Sequence, residues 1–163
     1  SHGKDSWSHQ GTNHGRSKKN LFARRYVLNV LFMCVANSAR SQMAEGLAKK
    51  ILGPSIQIQS AGSKPATVNP YAIQALREIG IDISQSHSKS IDSLPKEFLD
   101  SIDFVITLCA EEVCPVVIST AKKIHWPLPD PAQVPGSDEY KLQRFRDVRD
   151  ELKNHIENFK LNN

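Results

Sequence analysis

Cysteine is scarce in this chain, three residues in 163: Cys34, Cys109 and Cys114. So small and odd a number excludes a disulfide framework as the source of stability, and it points to a reducing compartment where thiols do chemistry. Tyrosine and tryptophan are also few. Between Val27 and the last helical stretch only Tyr71 and Trp126 occur, too little aromatic surface to wall a slot for a flat ligand. Long apolar runs are missing as well. The run after Arg24-Arg25 is about ten residues long and contains Asn29, so it reads as a strand rather than a leader, and no segment approaches a membrane span. Finally, the body lacks a basic excess. The formal charge is +4, but residues 1–25 hold six Lys/Arg against Asp5 alone, which leaves 15 basic and 16 acidic residues for the rest. A nucleic-acid-binding body is therefore excluded, and the positive charge belongs to a tail.

That tail, residues 1–25, is rich in Gly, Ser, His and Lys and is expected to be disordered. Its His2, His9 and His14 read as tail composition, and no metal site is predicted. Residues 26–163 are one domain by length.

Within the domain, everything is organised around VLNVLFMCVANSARSQMAEG, Val27 to Gly46. A β-branched apolar run, Val27 to Met33, predicts a buried strand, and a helical pattern follows from about Ser38 to Ile51. The polar turn between them, with Cys34, Val35, Ala36, Asn37, Ser38, Ala39, Arg40 and Ser41, has the makings of an anion site, because turn amides and a helix N-terminus both present positive charge. A cysteine at the floor of such a cup has its thiolate stabilised and becomes a nucleophile. Arg40 can fork onto two oxygens of a tetrahedral oxyanion, and Ser41 can donate to the thiolate. The bare C-x5-R spacing recurs by chance, and alone it would leave Cys34 a small buried hydrophobe and Arg40 a surface charge. Its place at a strand-to-helix junction gives it meaning.

The rest of the chain alternates strands and helices. Ile56 to Ser60 is a short strand, Ala61-Gly62 a turn, and Asn69-Pro70 caps a helix with an Ala72, Ala75/Leu76 and Ile79 stripe that Gly80 stops. Pro95 to Asp100 is a short helix. Phe104 to Leu108 is a second buried strand ending in Cys109, a brief helical segment follows, and Lys122 to His125 is a further strand. From Asp138 a final amphipathic helix carries Phe145, Val148, Leu152, Ile156 and Phe159 on one stripe. This rhythm predicts a single-domain α/β fold, a four-stranded parallel sheet with helices on both faces. In such sheets ligands bind at the carboxyl ends of the strands, where Cys34 and Cys109 both fall.

CVANSARSQMAEG resembles the phosphate-binding loop of the low-molecular-weight protein tyrosine phosphatases and of the arsenate reductases built on that fold. Ala36 stands where the usual loop has Gly, and Ala39 where a second loop cysteine is frequent. The resemblance implies that Asp130, in Asp130-Pro131, is the acid that protonates the departing oxygen. It also implies a thiol relay. Cys34 attacks arsenate, Cys109 attacks the adduct and releases arsenite, and Cys114 attacks Cys109 and carries the disulfide to the surface. Thioredoxin, glutaredoxin or a similar thiol would then reduce it. Only four residues separate Cys109 from Cys114, a shorter gap than in the best-known thioredoxin-coupled members.

Phosphatases of this fold need one cysteine and tend to carry paired tyrosines after the Asp-Pro. Here Ala132-Gln133 follow, the reductase version. Some such reductases bind a monovalent cation beside the loop; Asn37, Glu45 and Ser60 match part of that site. Lys89 falls where a carboxylate is expected and would itself supply the charge, so no cation is predicted. The sequence thus points to a cytoplasmic arsenate reductase with no tightly bound cofactor and an external thiol reductant. The alternatives are a phosphatase acting on phosphotyrosine through a Cys34 phosphoenzyme and a non-catalytic oxyanion or redox sensor.

Overall fold

A computed structural model of the chain describes residues 27–110 and 120–163. The expected tail (1–25) and the brief helical segment after Cys109, including Cys114, lie outside the described residues. The described residues form four strands: β1 (Asn29–Cys34), β2 (Gln57–Gly62), β3 (Phe104–Cys109) and β4 (Lys122–Leu128). They form one sheet in the order β2-β1-β3-β4 with every pairing parallel. The helices are α1 (Arg40–Leu52), α2 (Pro70–Arg77), α3 (Lys96–Asp100) and α4 (Asp138–Asn162).

Every residue of β1 is buried, because the central strands of a parallel sheet are covered on both faces. Alternate side chains therefore feed two cores. Val30 and Phe32, with Ile106 and Leu108 of β3, pack against α1, α2 and α4. Leu31 and Met33, with Val105, pack against Leu94, Phe98 and Ile102 around α3. The stripe expected for the last helix, Phe145, Val148, Leu152, Ile156 and Phe159, is buried throughout in the first of these cores.

Element boundaries differ from expectation where distant partners decide them. β1 begins at Asn29, not Val27, because the Asn29 backbone N–H and side chain are tied to Asp103 Oδ2 and to Ser101. β2 runs through Ala61-Gly62, expected as a turn, because those residues pair in register with Met33 and Cys34. α1 starts at Arg40, two residues late, since Ala39 has non-helical angles (φ −128°, ψ −81°). β4 continues past His125 to Leu128, which is fully buried. A register irregularity between Thr107 and Cys109 accommodates the extra residues there, as a bulge does. Asn69 caps α2 as expected, accepting from the Tyr71 N–H at 2.9 Å.

Candidate oxyanion site

Residues 35–39 link the carboxyl end of the central strand to the start of α1. Their carbonyls are spoken for on the outside of the turn. Val35 O accepts from Lys64 N–H (2.9 Å), Ala36 O from Ala66 N–H (3.0 Å), Ser38 O from Asn69 N–H (2.8 Å) and Asn37 O from Ser88 Oγ (2.7 Å). In a planar trans peptide the N–H points opposite to the preceding carbonyl. Fixing these four carbonyls outward therefore turns the N–H groups of Ala36, Asn37, Ser38 and Ala39 inward. On that inner side lies a cavity of about 480 Å³, lined by the loop from Cys34 to Arg40 (Asn37 excepted) and by Asp130 and Gln133. The structure thus brings Cys34, Val35, Ala36, Ser38, Ala39, Arg40 and Asp130 together at one cavity.

The left-handed residue of the turn is Asn37 (φ +48°), and no other described non-glycine residue has positive φ. Ala36, despite standing where a glycine is usual, therefore needs no adjusted backbone. Asparagine tolerates this region better than most residues, and here its side chain is fully used. Asn37 Nδ2 donates to Ser41 Oγ (2.7 Å) and Ser60 Oγ (2.9 Å), while its Oδ1 accepts from Gln42 Nε2 (2.9 Å) and Lys89 N–H (2.8 Å). Ser60 Oγ donates in turn to Glu45 Oε1 (2.6 Å). Ser41 Oγ, already accepting from Asn37, lies 2.8 Å from Cys34 Sγ. With Asn37 Nδ2 donating to it, the Ser41 hydroxyl has the sulfur as its further hydrogen-bond partner.

Glu45 anchors the far end of this chain. Burial pushes its carboxyl up, but hydrogen bonds from Lys49 and Ser60 and the charges of Lys89 and Lys49 outweigh that and hold it below the ordinary glutamate value. The Lys89 ammonium is 3.3 Å from Glu45 Oε1 and that of Lys49 2.7 Å from Oε2. The positive charge expected of Lys89 is thus in place. A carboxylate depressed on folding contributes stability that is present above the unfolded-state value and is lost as pH falls through the folded one. Denaturant melts of wild type and Glu45→Gln, compared from neutral pH down, are accordingly expected to differ most at neutral pH. The difference should shrink below the ordinary glutamate range, and a pH-independent difference would refute the assignment.

Arg40 is buried, 4% exposed. Its Nη1 donates to Leu128 O at 2.9 Å, and Nη2 lies 3.8 Å from Asp130 Oδ2. Asp130 in turn caps the short turn Pro131–Gln133, accepting from Ala132 N–H at 3.0 Å. Cys34 is a buried free thiol. Cys109, at the buried end of β3, is held in a disulfide, and it pairs in the sheet with Leu128, whose carbonyl carries Arg40. Among the described residues no cluster of three or more His, Cys, Asp or Glu could hold a metal ion, and no helix is long and apolar enough to cross a membrane.

Among the described residues lining the cavity, neither Tyr71 nor Trp126 appears. Tyr71 packs on Phe145 and donates to Asp138 (2.6 Å); Trp126 sits against Phe32 and stacks on His155. Three contributors escaped the sequence: Gln42, which braces Asn37 and the His87 carbonyl; Gln133, at the cavity mouth; and Gly62, whose lack of a side chain lets the loop approach β2. Only Gln133 had a local signal, its place three residues after Asp130.

The family model for low molecular weight phosphotyrosine protein phosphatase matches residues 29–162. A protein of Halalkalibacterium halodurans named arsenate reductase is 47% identical over 132 residues, which cover 80% of this chain and 93% of that protein. The solved structure of an arsenate reductase in the phosphate binding state superposes with a TM-score of 0.70 at 36% identity, covering 83% of this chain and 98% of that one. A thioredoxin-dependent arsenate reductase from Corynebacterium glutamicum superposes with a TM-score of 0.56 at 29% identity, covering 87% and 72%.

Proposed function

Since the chain belongs to the low-molecular-weight phosphotyrosine protein phosphatase family, we propose that it is the arsenate-reducing kind of member, an enzyme converting arsenate to arsenite. The observation that carries this reading is the division of its thiols. Cys34 is free at the floor of the anion cavity while Cys109 is in a disulfide. A phosphatase of this fold uses one cysteine and has no need of a second in another redox state.

In the proposed cycle the Cys34 thiolate, oriented by Ser41, attacks arsenic. An As–S bond forms, an As–O bond breaks, and Asp130 in its protonated form gives the departing oxygen a proton so that it leaves as water. Arg40 and the inward amides of residues 36–39 stabilise the charge on the remaining oxygens. The Cys109 thiolate then attacks the Cys34 sulfur. An S–S bond forms, the As–S electron pair stays on arsenic, As(V) becomes As(III), and arsenite departs. Cys114 attacks Cys109, freeing Cys34 and leaving a Cys109–Cys114 disulfide, which an external dithiol reduces. Thioredoxin is the reductant we assign first, by likeness to the thioredoxin-dependent relative, with glutaredoxin second. The catalytic unit is residues 26–163, working in a reducing, cytoplasmic setting.

The test is arsenate-dependent NADPH oxidation with thioredoxin and thioredoxin reductase, on wild type, Cys34→Ser, Cys109→Ser and Cys114→Ser. Turnover in wild type and loss of it in all three variants is expected. Hydrolysis of an aryl phosphate that needs Cys34 but survives loss of Cys109 and Cys114, without arsenate turnover under thioredoxin or glutaredoxin, would establish the phosphatase reading instead.

A further inference from the structure

Gln133 lines the cavity beside Asp130, and the proposed cycle does not use it. Its backbone is pinned. Pro131, two residues before it, is buried, Asp130 Oδ1 accepts the Ala132 N–H, and Asp130 O accepts the Gln133 N–H at 3.3 Å. Its Cα is therefore fixed relative to the acid and the loop. Its side-chain amide, by contrast, is exposed at the cavity mouth and takes no hydrogen bond from the described residues. A donor and an acceptor are thus held at the opening of an anion cup with no partner among the described residues. Among the described residues no aromatic side chain lines that cavity.

We infer that Gln133 is a specificity-determining residue that selects a free inorganic oxyanion over an organic ester of the same anion. The inference rests on the oxyanion-site reading above. Three oxygens of a tetrahedral anion face the loop amides and Arg40, and the fourth faces the mouth, beside Asp130 and Gln133. In inorganic arsenate or phosphate that fourth oxygen can be a hydroxyl, which donates to Gln133 Oε1 and accepts from Gln133 Nε2. In a monoester the same oxygen carries carbon. It has no proton to donate, and its organic group must occupy the space of the glutamine. One residue thereby supplies an attraction for the right ligand and an obstruction for the wrong one, and a hydrogen-bonding site of this kind discriminates more strongly than an apolar one.

The experiment is calorimetric titration of the full chain, kept reduced, with inorganic phosphate and with phenyl phosphate, for wild type, Gln133→Ala and Gln133→Met. Neither ligand is redox-active, so the result does not depend on arsenate turnover and stays separable from failure of the reductase reading. Gln133→Ala is expected to weaken inorganic phosphate about tenfold, the loss of roughly one hydrogen bond, and to leave phenyl phosphate unchanged or tighter. Gln133→Met keeps the bulk and loses the amide, so inorganic phosphate should weaken equally while phenyl phosphate gains nothing. A ratio of the two affinities that stays within twofold of wild type in Gln133→Ala overturns the inference.

Discussion

Arg40→Lys is expected to lower kcat/KM for arsenate by about 10²–10³-fold, the usual consequence of removing a preorganised donor from a developing oxyanion. The charge is conserved in this substitution, so the prediction rests on geometry. The guanidinium is buried and does two things at once. Nη1 is spent on the Leu128 carbonyl at 2.9 Å, and Nη2 lies on the side of Asp130 and the cavity. A planar fork can hold a carbonyl with one arm and still present parallel N–H groups to an oxyanion. A lysine ammonium is a single point on a flexible stem and must choose. If it bonds Leu128 O it leaves the anion; if it serves the anion, a buried carbonyl loses its donor, which costs about 1–3 kcal/mol. Steady-state kinetics together with a thermal melt distinguish these cases. A variant within threefold of wild type in kcat/KM would show that charge alone, not the fork, is what the site needs.

The site was legible in the sequence to the extent that its chemistry is local. Cys34, Arg40 and Ser41 lie within eight residues of one another, and the strand-turn-helix that holds them is dictated by a β-branched run followed by a 3.6-residue period. The stripe of the last helix was legible for the same reason. Phe145, Val148, Leu152, Ile156 and Phe159 repeat at helical spacing and all reach the core. What stayed hidden is set by partners far along the chain. Asn37 Oδ1 is shared between Gln42, five residues on, and the backbone of Lys89, 52 residues on. No window of sequence contains both. The outer brace of the loop is made by backbone N–H groups of residues 64, 66 and 69, and a backbone donor leaves no mark on composition. The late start of α1 follows from this brace, because Ser38 O bonds to Asn69 instead of entering the helix. β2 likewise runs on to Gly62 because its neighbour β1 does.

Gly62→Ala is expected to be the most damaging single methyl that can be added near the site. Gly62 has an ordinary backbone angle, so conformational freedom is not the reason for glycine here; space is. A Cβ built on it would stand 2.3 Å from Val35 O and 2.9 Å from Asn37 N. Both are backbone atoms of the anion loop, and neither can swing aside as the end of a side chain can. Gly62 cannot retreat either, since its own N–H is bonded to Lys89 O at 2.9 Å and it pairs with Cys34 on one side and Ser90 on the other. The methyl must therefore push the Val35 peptide, which is held from outside by Lys64, and with it the amides aimed into the cavity. Overpacking of this kind typically costs about 1–3 kcal/mol of stability, and a misplacement near 1 Å at the reacting centre costs on the order of 10²-fold in rate. Gly53→Ala is the control. Gly53 has a positive φ (+84°) and nothing within 4 Å of the added carbon, so it should lose stability through backbone strain and keep its turnover. If Gly62→Ala melts no lower than Gly53→Ala and retains kcat/KM within threefold of wild type, the loop is more pliable than its carbonyl brace implies. If instead the two variants lose comparable stability but only Gly62→Ala loses phosphate affinity and turnover, the close approach of β2 sets the inward aim of the loop amides.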